Sequence, residues 1–354
     1  MLVRMTAVIV LFGGDGSEHR VSVASAQNVT SHLAEARLWF WTRDGAVHDV
    51  ERNALLRFER PFERDFSPTP RSIWPDIGRA FEDNVARESV FFLALHGGSG
   101  ENGTLQNRLE TCGYAFTGSG SEASCAAFDK VRAKEALSAQ GVCVADACLV
   151  DGDSATHEKL AHLFETHGKV VVKPVADGSS HGVRFIETEK DLDAVIVDIR
   201  RQGGAKVLAE AFITGRELTV AVYESPDGRT ALPCSEVCLE EGRTFDYEGK
   251  YLGKGTLELT PAPVSDDVAS AAQSVALTAH EALGCYGYSR TDIIIPGGPY
   301  RPDRADRDAV FLELNTLPGL TAASFIPQQL EAARIEMDRF LARQIELALA
   351  RSRR

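Results

Sequence analysis

Residues 170–186, VVVKPVADGSSHGVRFI, place a lysine at the end of an apolar run and follow it with a loop of small residues. The run at 170–172 is typical of a buried strand, where a lysine is costly unless it is paired. The stretch is not a Walker A motif, because Lys173 precedes the glycines and no G-K-S/T follows. Two interpretations remain open: a strand and loop that contact phosphate through Lys173 and backbone N–H groups, or a hairpin whose lysine extends into solvent.

The length and composition of the whole chain limit the class of protein to which it can belong. The chain has 354 residues, 44% hydrophobic and 25% charged, which predicts a globular protein of two or three domains. A formal net charge of −13 argues against nucleic-acid binding. No apolar run reaches the roughly 20 residues that cross a bilayer, and the seven cysteines have no framework spacing. We therefore expect reduced thiols in a cytoplasmic protein that binds neither nucleic acid nor membrane.

The order of predicted elements indicates an α/β fold. The short β-rich run at 6–12, which ends in glycines, predicts a first strand and not a secretory signal. Strand and helix then alternate, which predicts a parallel sheet covered by helices. The strands expected at 169–175, 182–187 and 206–213 fit a small antiparallel sheet. Residues 42–88 are charged and interrupted by prolines, and we assign no element there.

Two polar pairs lie in predicted strands near the carboxyl end. Glu313 and Asn315 are two residues apart, as are Arg290 and Asp292, so each pair lies on one face of its strand. Pairing of the two strands would bring two carboxylates, one amide and one guanidinium together, and the carboxylate and amide oxygens are ligands suited to Mg²⁺. The alternative is a solvated strand edge, but the apolar flanks DIII and VFLEL favour the metal site.

Several isolated residues are candidates for binding anions or the nucleotide. Lys130 begins a helix, and Lys250 lies in an irregular loop. Glu210 and Glu217 could read an adenine amino group and a ribose. Each lysine, taken alone, is more often an ordinary surface residue, and the two glutamates are a weak signal without further context.

Two further candidates follow strands. Glu18 follows the first strand at a glycine turn, the edge where ligands bind in open α/β sheets, although it could equally favour a helix N-terminus. His96 ends the second buried strand, where it could contact substrate or be structural.

Taken in order, these segments resemble the D-alanine–D-alanine ligases of the ATP-grasp superfamily, over nearly the whole chain. The motifs that carry the resemblance are FGGDGSEHRVS, ALHGGSGENGTLQNRLETCGYAFTGSGSEASCAAFDK, VVKPVADGSSHGV, EAFITGREL, FDYEGKY, SRTD and ELNTLPGLTAASFIP. The resemblance implies a three-domain ATP-grasp architecture. A Rossmann-like substrate domain (1–125) precedes two α+β domains, central (126–214) and catalytic (215–354), which hold ATP between them.

The resemblance also implies a role for each candidate residue. Nucleotide contacts are implied for Lys130, Lys173, Ser180, Glu210, Phe212, Glu217 and Lys250. Two Mg²⁺ ions, replaceable by Mn²⁺, are implied at Asp292, Glu313 and Asn315. Substrate contacts are implied for Glu18, His96, Ser324 and Phe325, an oxyanion hole for Arg290 and Gly319, and loop closure for Ser179 and Tyr251 with Glu18.

The implied function is ATP-dependent ligation of two D-alanines through an acyl phosphate, for peptidoglycan, by a homodimer. His181, Leu257, Phe325 and a longer loop at 297–308 depart from the family pattern. A related ligase for other amino acids therefore stays an alternative, although Tyr251 favours an amine acceptor. A nucleotide-binding oxidoreductase, suggested by FGGDGS, lacks G-x-G-x-x-G and leaves the acidic set unexplained.

Overall fold

The computed structural model describes residues 7–176, 182–239, 256–297 and 309–352. The strands are β1 (Ala7–Gly13), β2 (Arg37–Trp41), β3 (Val47–Val50), β4 (Ser72–Trp74), β5 (Ser89–Ala94), β6 (Ala115–Phe116), β7 (Cys143–Val144), β8 (Ala147–Val150), β9 (Val170–Pro174), β10 (Arg184–Ile186), β11 (Val207–Ala211), β12 (Gly215–Ser225), β13 (Gly228–Ala231), β14 (Ser235–Leu239), β15 (Thr256–Leu259), β16 (Tyr288–Pro296) and β17 (Val310–Asn315). The helices are α1 (His19–His32), α2 (Arg52–Leu56), α3 (Ile77–Phe81), α4 (Asn84–Arg87), α5 (Gly98–Glu101), α6 (Thr104–Thr111), α7 (Ser121–Phe128), α8 (Lys130–Ala139), α9 (Thr156–His167), α10 (Glu189–Arg201), α11 (Asp266–Ala282), α12 (Phe325–Ala332) and α13 (Met337–Arg351). No helix within these ranges is both long and apolar enough to span a membrane.

The amino-terminal sheet has the order β4-β3-β2-β1-β5-β6, and β2, β1, β5 and β6 run parallel. Residues 9–12 of β1 are fully buried, as expected for a parallel strand covered on both faces. The chain turns sharply at Gly13, where φ is 97° and a Cβ would lie 2.2 Å from the Trp41 carbonyl oxygen. That turn, which only glycine accommodates, sets the start of the loop that carries Glu18. The predicted parallel sheet is confirmed.

Residues 42–88, for which the sequence predicted no element, extend this sheet. β3 pairs antiparallel with β2, and β4 pairs antiparallel with β3; α2 connects β3 to β4, and α3 and α4 connect β4 to β5. Phe66 from this segment packs its ring against Phe12 and Phe40. The segment is therefore part of the amino-terminal core and not a linker.

The central sheet is antiparallel, with the order β10-β9-β11-β8. It contains the three predicted strands and one, β8, that the sequence did not predict. α9 and α10 cover it and bury Leu160 and Ile196 against Val170 and Val172. The apolar half of the stretch at 170–186 is thus core, and residues 177–181 of its loop lie outside the described residues.

The carboxy-terminal sheet has seven strands in the order β15-β14-β12-β16-β17-β7, with β13 paired to β12. α8 and α11 pack on it, and Leu137 of α8 shares a core with Val220 and Phe311. β7 pairs parallel to β17, so the chain contributes to this sheet before it enters the central one. The mixed α/β architecture is confirmed, whereas the domain boundaries at 126 and 215 remain a proposal.

The segment after β17 packs back on the amino-terminal sheet. Leu317, Leu320 and Ile326 are buried in the same cluster as Phe92 and Leu95. This packing brings the end of β17 against the loops that follow β1 and β5, and the candidate site lies there.

Candidate active site

Strand pairing brings the two polar pairs together. Across β16 and β17, Arg290 lies opposite Asn315 and Asp292 opposite Glu313, and the register shifts just after Asp292. Because residues i and i+2 share a face, all four side chains converge on one patch. We call Arg290, Asp292, Glu313 and Asn315 the acidic patch.

Asp292 is the centre of the acidic patch. Arg290 donates to it twice, from Nε to Oδ1 (3.0 Å) and from Nη2 to Oδ2 (2.7 Å). Thr219 Oγ1 lies 2.5 Å from Oδ1, and the Asn315 amide nitrogen lies 3.4 Å from Oδ2. These donors hold a nearly buried carboxylate in one orientation, which a metal ligand requires.

The donor set fits a magnesium ion that also binds substrate. Among the described residues no three His, Cys, Asp or Glu side chains form a metal-binding group by themselves. The acidic patch instead offers two carboxylates and the amide oxygen of Asn315. Mg²⁺ is usually held by one or two carboxylates while phosphate and water complete its shell, so these residues fit that ion.

α8 connects the acidic patch to the central sheet. Lys130 and Lys134 are one helical turn apart and lie on the same face. Lys130 Nζ is 3.4 Å from Glu313 Oε2, and Lys134 Nζ is 2.6 Å from Glu210 Oε1 on β11. Both lysines are nearly buried, so α8 places two ammonium groups between the two sheets.

Lys173, the lysine of the opening stretch, pairs with the other oxygen of Glu210. Glu210 is 1% exposed, and Lys134 is 5% exposed. Burial acts to raise the pKa of Glu210, but Lys173 and Lys134 outweigh it and hold that pKa below its usual value. Burial lowers the pKa of Lys134 despite Glu210. The cost of burying Lys173 is therefore met by an ion-paired triad, Lys134–Glu210–Lys173.

Two of the other predicted nucleotide contacts, Phe212 and Glu217, lie within the described residues. Phe212 follows β11 with its ring 5.9 Å from that of Phe185 and 4.2 Å from Lys169 Nζ. Glu217 lies on β12 opposite Ile294 of β16. Four predicted contacts lie outside the described residues: Ser179, Ser180, Lys250 and Tyr251.

One cavity joins the acidic patch to the amino-terminal loops. Its lining includes eight of the predicted residues: Glu18, His96, Arg290, Glu313, Asn315, Gly319, Ser324 and Phe325. A Cβ on Gly319 would lie 2.7 Å from Ser324 Oγ, so a side chain at position 319 would displace that hydroxyl. Ser324 Oγ in turn accepts from the Thr321 N–H at 3.1 Å. The structure thus assembles the cavity from parts of the chain that lie far apart in sequence.

Sequence reasoning missed four residues of the site. Lys134 carried a usable signal, its spacing of four from Lys130. Phe62 lines the cavity from the unassigned segment, and Glu101 lines it from the glycine-rich loop. Glu258 lines it and accepts from Gln328 Nε2 at 3.1 Å, whereas its neighbour Leu257 is 58% exposed. Alternation along β15 places those two neighbours on opposite faces.

His96 is held by protein atoms on both ring nitrogens. Nδ1 donates to the Leu317 carbonyl oxygen at 2.7 Å, and Nε2 lies 2.8 Å from Ser25 Oγ. Burial lowers the pKa of His96, although Glu18 opposes this. The ring is therefore neutral at pH 7, with its proton on Nδ1.

Glu101→Gln is expected to gain stability relative to the unaltered protein as the pH rises from about 4.5 to about 7. Burial raises the pKa of Glu101 to about 7 from 4.5, despite donation from Leu317 and Gly97. Over that range the folded protein keeps this proton and the unfolded chain does not, so native stability falls with rising pH. Glutamine does not titrate, so the variant does not lose stability in this way as the pH rises. Urea unfolding of both proteins at about pH 5 and about pH 8 measures the change. A stability difference that is the same at both pH values would contradict the prediction.

The fold and the site together define a class. An amino-terminal parallel sheet, followed by two sheets with lysines and carboxylates between them, is the arrangement of an ATP-grasp ligase. Residues 7–119 match the family model described as D-ala D-ala ligase N-terminus, and residues 137–346 match D-ala D-ala ligase C-terminus. The chain therefore belongs to the D-alanine–D-alanine ligase family.

Individual relatives agree with this assignment. The chain is 34% identical to the D-alanine–D-alanine ligase of Leptospira interrogans, covering 98% of this chain and 99% of that protein. It is 35% identical to the D-alanine–D-alanine ligase of Gluconobacter oxydans, covering 97% of this chain and 99% of that protein. The solved structure of the VanG D-Ala:D-Ser ligase of Enterococcus faecalis is 26% identical, with a TM-score of 0.77, and the match covers 97% of this chain and 99% of that one. The Coxiella burnetii ligase, at 23% identity and a TM-score of 0.79 over 98% and 94%, shares the fold.

Proposed function

We propose that this protein ligates two D-alanines to D-alanyl-D-alanine with ATP, through an acyl phosphate of the first D-alanine, for peptidoglycan synthesis. The observation that carries the proposal is the acidic patch, which lies beside Lys130 and opens into the cavity lined by Glu18 and Gly319. Family membership supports the same reaction.

The chain's own residues divide the work between nucleotide and metal. The triad Lys134–Glu210–Lys173 and Lys130 would hold the nucleotide between the two sheets, since their charges oppose those of phosphate. Asp292, Glu313 and Asn315 would hold the metal. When bound, metal and nucleotide supply charge neutralisation and the phosphoryl group that converts a carboxylate into an acyl donor.

The cavity residues would orient the two amino acids. Glu18 is a carboxylate suited to the ammonium group of the first D-alanine, and Ser324 can donate to the carboxylate of the second. Attack of the amine on the acyl carbon places negative charge on oxygen. Arg290 and the Gly319 N–H would stabilise that oxyanion, because donors that are already fixed in place need no reorganisation. Arg290 is already oriented by Asp292.

The finer parts of the proposal follow from the family resemblance. They are two Mg²⁺ ions with Mn²⁺ as a substitute, closure of the site by Ser179 and Tyr251, a homodimer, and action in the cytoplasm. Closure would exclude water from the cavity, which matters because acyl phosphates hydrolyse readily.

The test of the function is a profile of ATP turnover over pairs of D- and L-amino acids, with mass spectrometry of the product. We expect phosphate release and D-alanyl-D-alanine with D-alanine alone. Absence of phosphate release with D-alanine would refute the proposal. A distinctly better second substrate, such as D-serine, would support the related ligase for other amino acids.

Phe325→Ala is expected to relax selection of the second amino acid. Phe325 is nearly buried beside Ser324, with its ring centroid 5.9 Å from Arg290 Cζ. Removing the ring enlarges the cavity, and one methylene in an apolar pocket typically changes selectivity by about 10–200-fold. The ratio of kcat/KM for D-2-aminobutyrate over D-alanine as acceptor should rise by about tenfold or more. Phe164→Ala, in the central core, is the control that should leave this ratio unchanged.

A further inference from the structure

The turn at residues 317–320, which follows β17 and contains Gly319, is held at its first residue by two side chains. The Leu317 N–H donates to Glu101 Oε1 at 2.9 Å. The Leu317 carbonyl oxygen accepts from His96 Nδ1 at 2.7 Å. Both backbone polar groups of Leu317 are therefore bound by side chains of the amino-terminal part of the chain.

The last residue of the turn is held in the same way. The Leu320 N–H donates to Ser25 Oγ at 3.1 Å, and the Leu320 carbonyl oxygen accepts from Asn28 Nδ2 at 2.8 Å. Ser25 and Asn28 are one turn apart on α1, so one face of that helix supplies both partners.

The two ends are also linked to each other. Because His96 is neutral with its proton on Nδ1, Nε2 accepts from Ser25 Oγ at 2.8 Å. The Ser25 hydroxyl therefore donates its proton to His96 Nε2, and its oxygen accepts from the Leu320 N–H. A continuous chain of hydrogen bonds thus runs from the Leu320 N–H through Ser25 and His96 to the Leu317 carbonyl oxygen. Each group in it donates to the next one in the same direction.

Glu101 extends this chain into the loop after β5. Its second oxygen, Oε2, accepts from the Gly97 N–H at 2.9 Å, next to His96. Glu101 is 6% exposed, His96 is 5% exposed and Ser25 is fully buried, so these hydrogen bonds are made away from water. The turn after β17 is thereby fixed to a part of the fold distant in sequence.

We propose that Ser25, Asn28 and Glu101, with His96, are positioning residues that hold the Gly319 N–H where the oxyanion forms. The inference rests on the proposed function, in which Gly319 is an oxyanion donor. A backbone donor acts only when its position is fixed beforehand, and these residues fix both ends of the turn that carries it. It follows that the amino-terminal domain, besides binding substrate, completes the oxyanion hole of the carboxy-terminal one.

Asn28→Asp tests the proposal with the least disturbance. Asn28 is half-buried and is not part of the cavity lining. Aspartate has the same shape but cannot donate to the Leu320 carbonyl oxygen, which it would repel. We expect kcat for ligation to fall by about tenfold while the KM for ATP changes by less than about twofold, because the lost interaction matters only in the transition state.

Binding of a phosphinate analogue of the tetrahedral intermediate separates positioning from a structural effect. Its affinity should fall by about the same tenfold factor as kcat/KM, because such analogues measure transition-state binding. Gln273→Glu is the matched control. It removes the amide donor that Gln273, on α11, offers to the Leu232 carbonyl oxygen, and it should change neither quantity. Asn28→Ala replaces Asn28→Asp if circular dichroism shows that the latter is unfolded.

Three outcomes overturn the proposal. They are an unchanged kcat, a fall in kcat with unchanged phosphinate affinity, and an equal fall in the Gln273→Glu control. The unaltered protein is assayed first. If it does not ligate D-alanine, the proposed function fails; if it does and Asn28→Asp behaves like it, only the positioning inference fails.

Discussion

Glu313→Ala is expected to lower kcat for ligation by about a hundredfold to a thousandfold and to raise the Mg²⁺ concentration needed for half-maximal activity. Glu313 lies opposite Asp292 and within 3.4 Å of Lys130. Its loss removes one of two carboxylates in the acidic patch, and losing a single transition-state contact in comparable sites costs about 10²–10³-fold. Steady-state kinetics across a Mg²⁺ titration measure both effects.

Two control variants make this result specific. Glu313→Gln keeps the shape but not the charge, and it should lose nearly as much activity, since an amide is a poorer Mg²⁺ ligand. Glu331→Ala, an exposed glutamate on α12, should have no effect. Undiminished activity in Glu313→Ala would remove Glu313 from the metal site.

Glu210→Ala is expected to lower the free energy of unfolding by about 3–5 kcal/mol, because it leaves two lysines without their buried partner. Lys134 and Lys173 both pair with this carboxylate, which is 1% exposed. Glu187→Ala is the matched control, since Glu187 pairs with Lys169 at 2.5 Å on an exposed edge of the same sheet. An exposed pair of this kind contributes about 0–1 kcal/mol. Urea unfolding of the three proteins gives the comparison.

The same variant should also raise the KM for ATP. Without Glu210, Lys173 and Lys134 repel each other and no longer keep one orientation between the sheets. A loss of stability no larger than that of Glu187→Ala would show that the triad does not carry the expected energy. Reduced stability with an unchanged KM would separate the triad from nucleotide binding.

Much of the fold was predictable because its signals are local. The apolar run of β1, the alternation in β16 and β17, and the glycine turn at Gly13 are each contained in a few consecutive residues. Period-two alternation alone placed Arg290 with Asp292 and Glu313 with Asn315. Pairing of neighbouring strands then sufficed to bring the four side chains together.

The errors of omission lie where local signals are weak. β3, β4 and β7 are short, and each is stabilised by pairing with a strand elsewhere in the chain. Residues 42–88 read as an unassigned charged stretch, although Phe66 is core and Phe62 reaches the cavity. The sequence alone did not show which of Glu258 and Leu257 faces the cavity, because that depends on how β15 pairs with β14.

By itself, the sequence determined the family, the α/β class and the chemistry available to the site, because motif order and periodicity are properties of the chain. Only the tertiary structure decided which charges meet. Lys134 joins Glu210 because α8 packs between two sheets, and Glu101 reaches Leu317 across 216 residues of chain. A buried charge or backbone group is stable only with a partner, and that partner is chosen by the packing of distant elements.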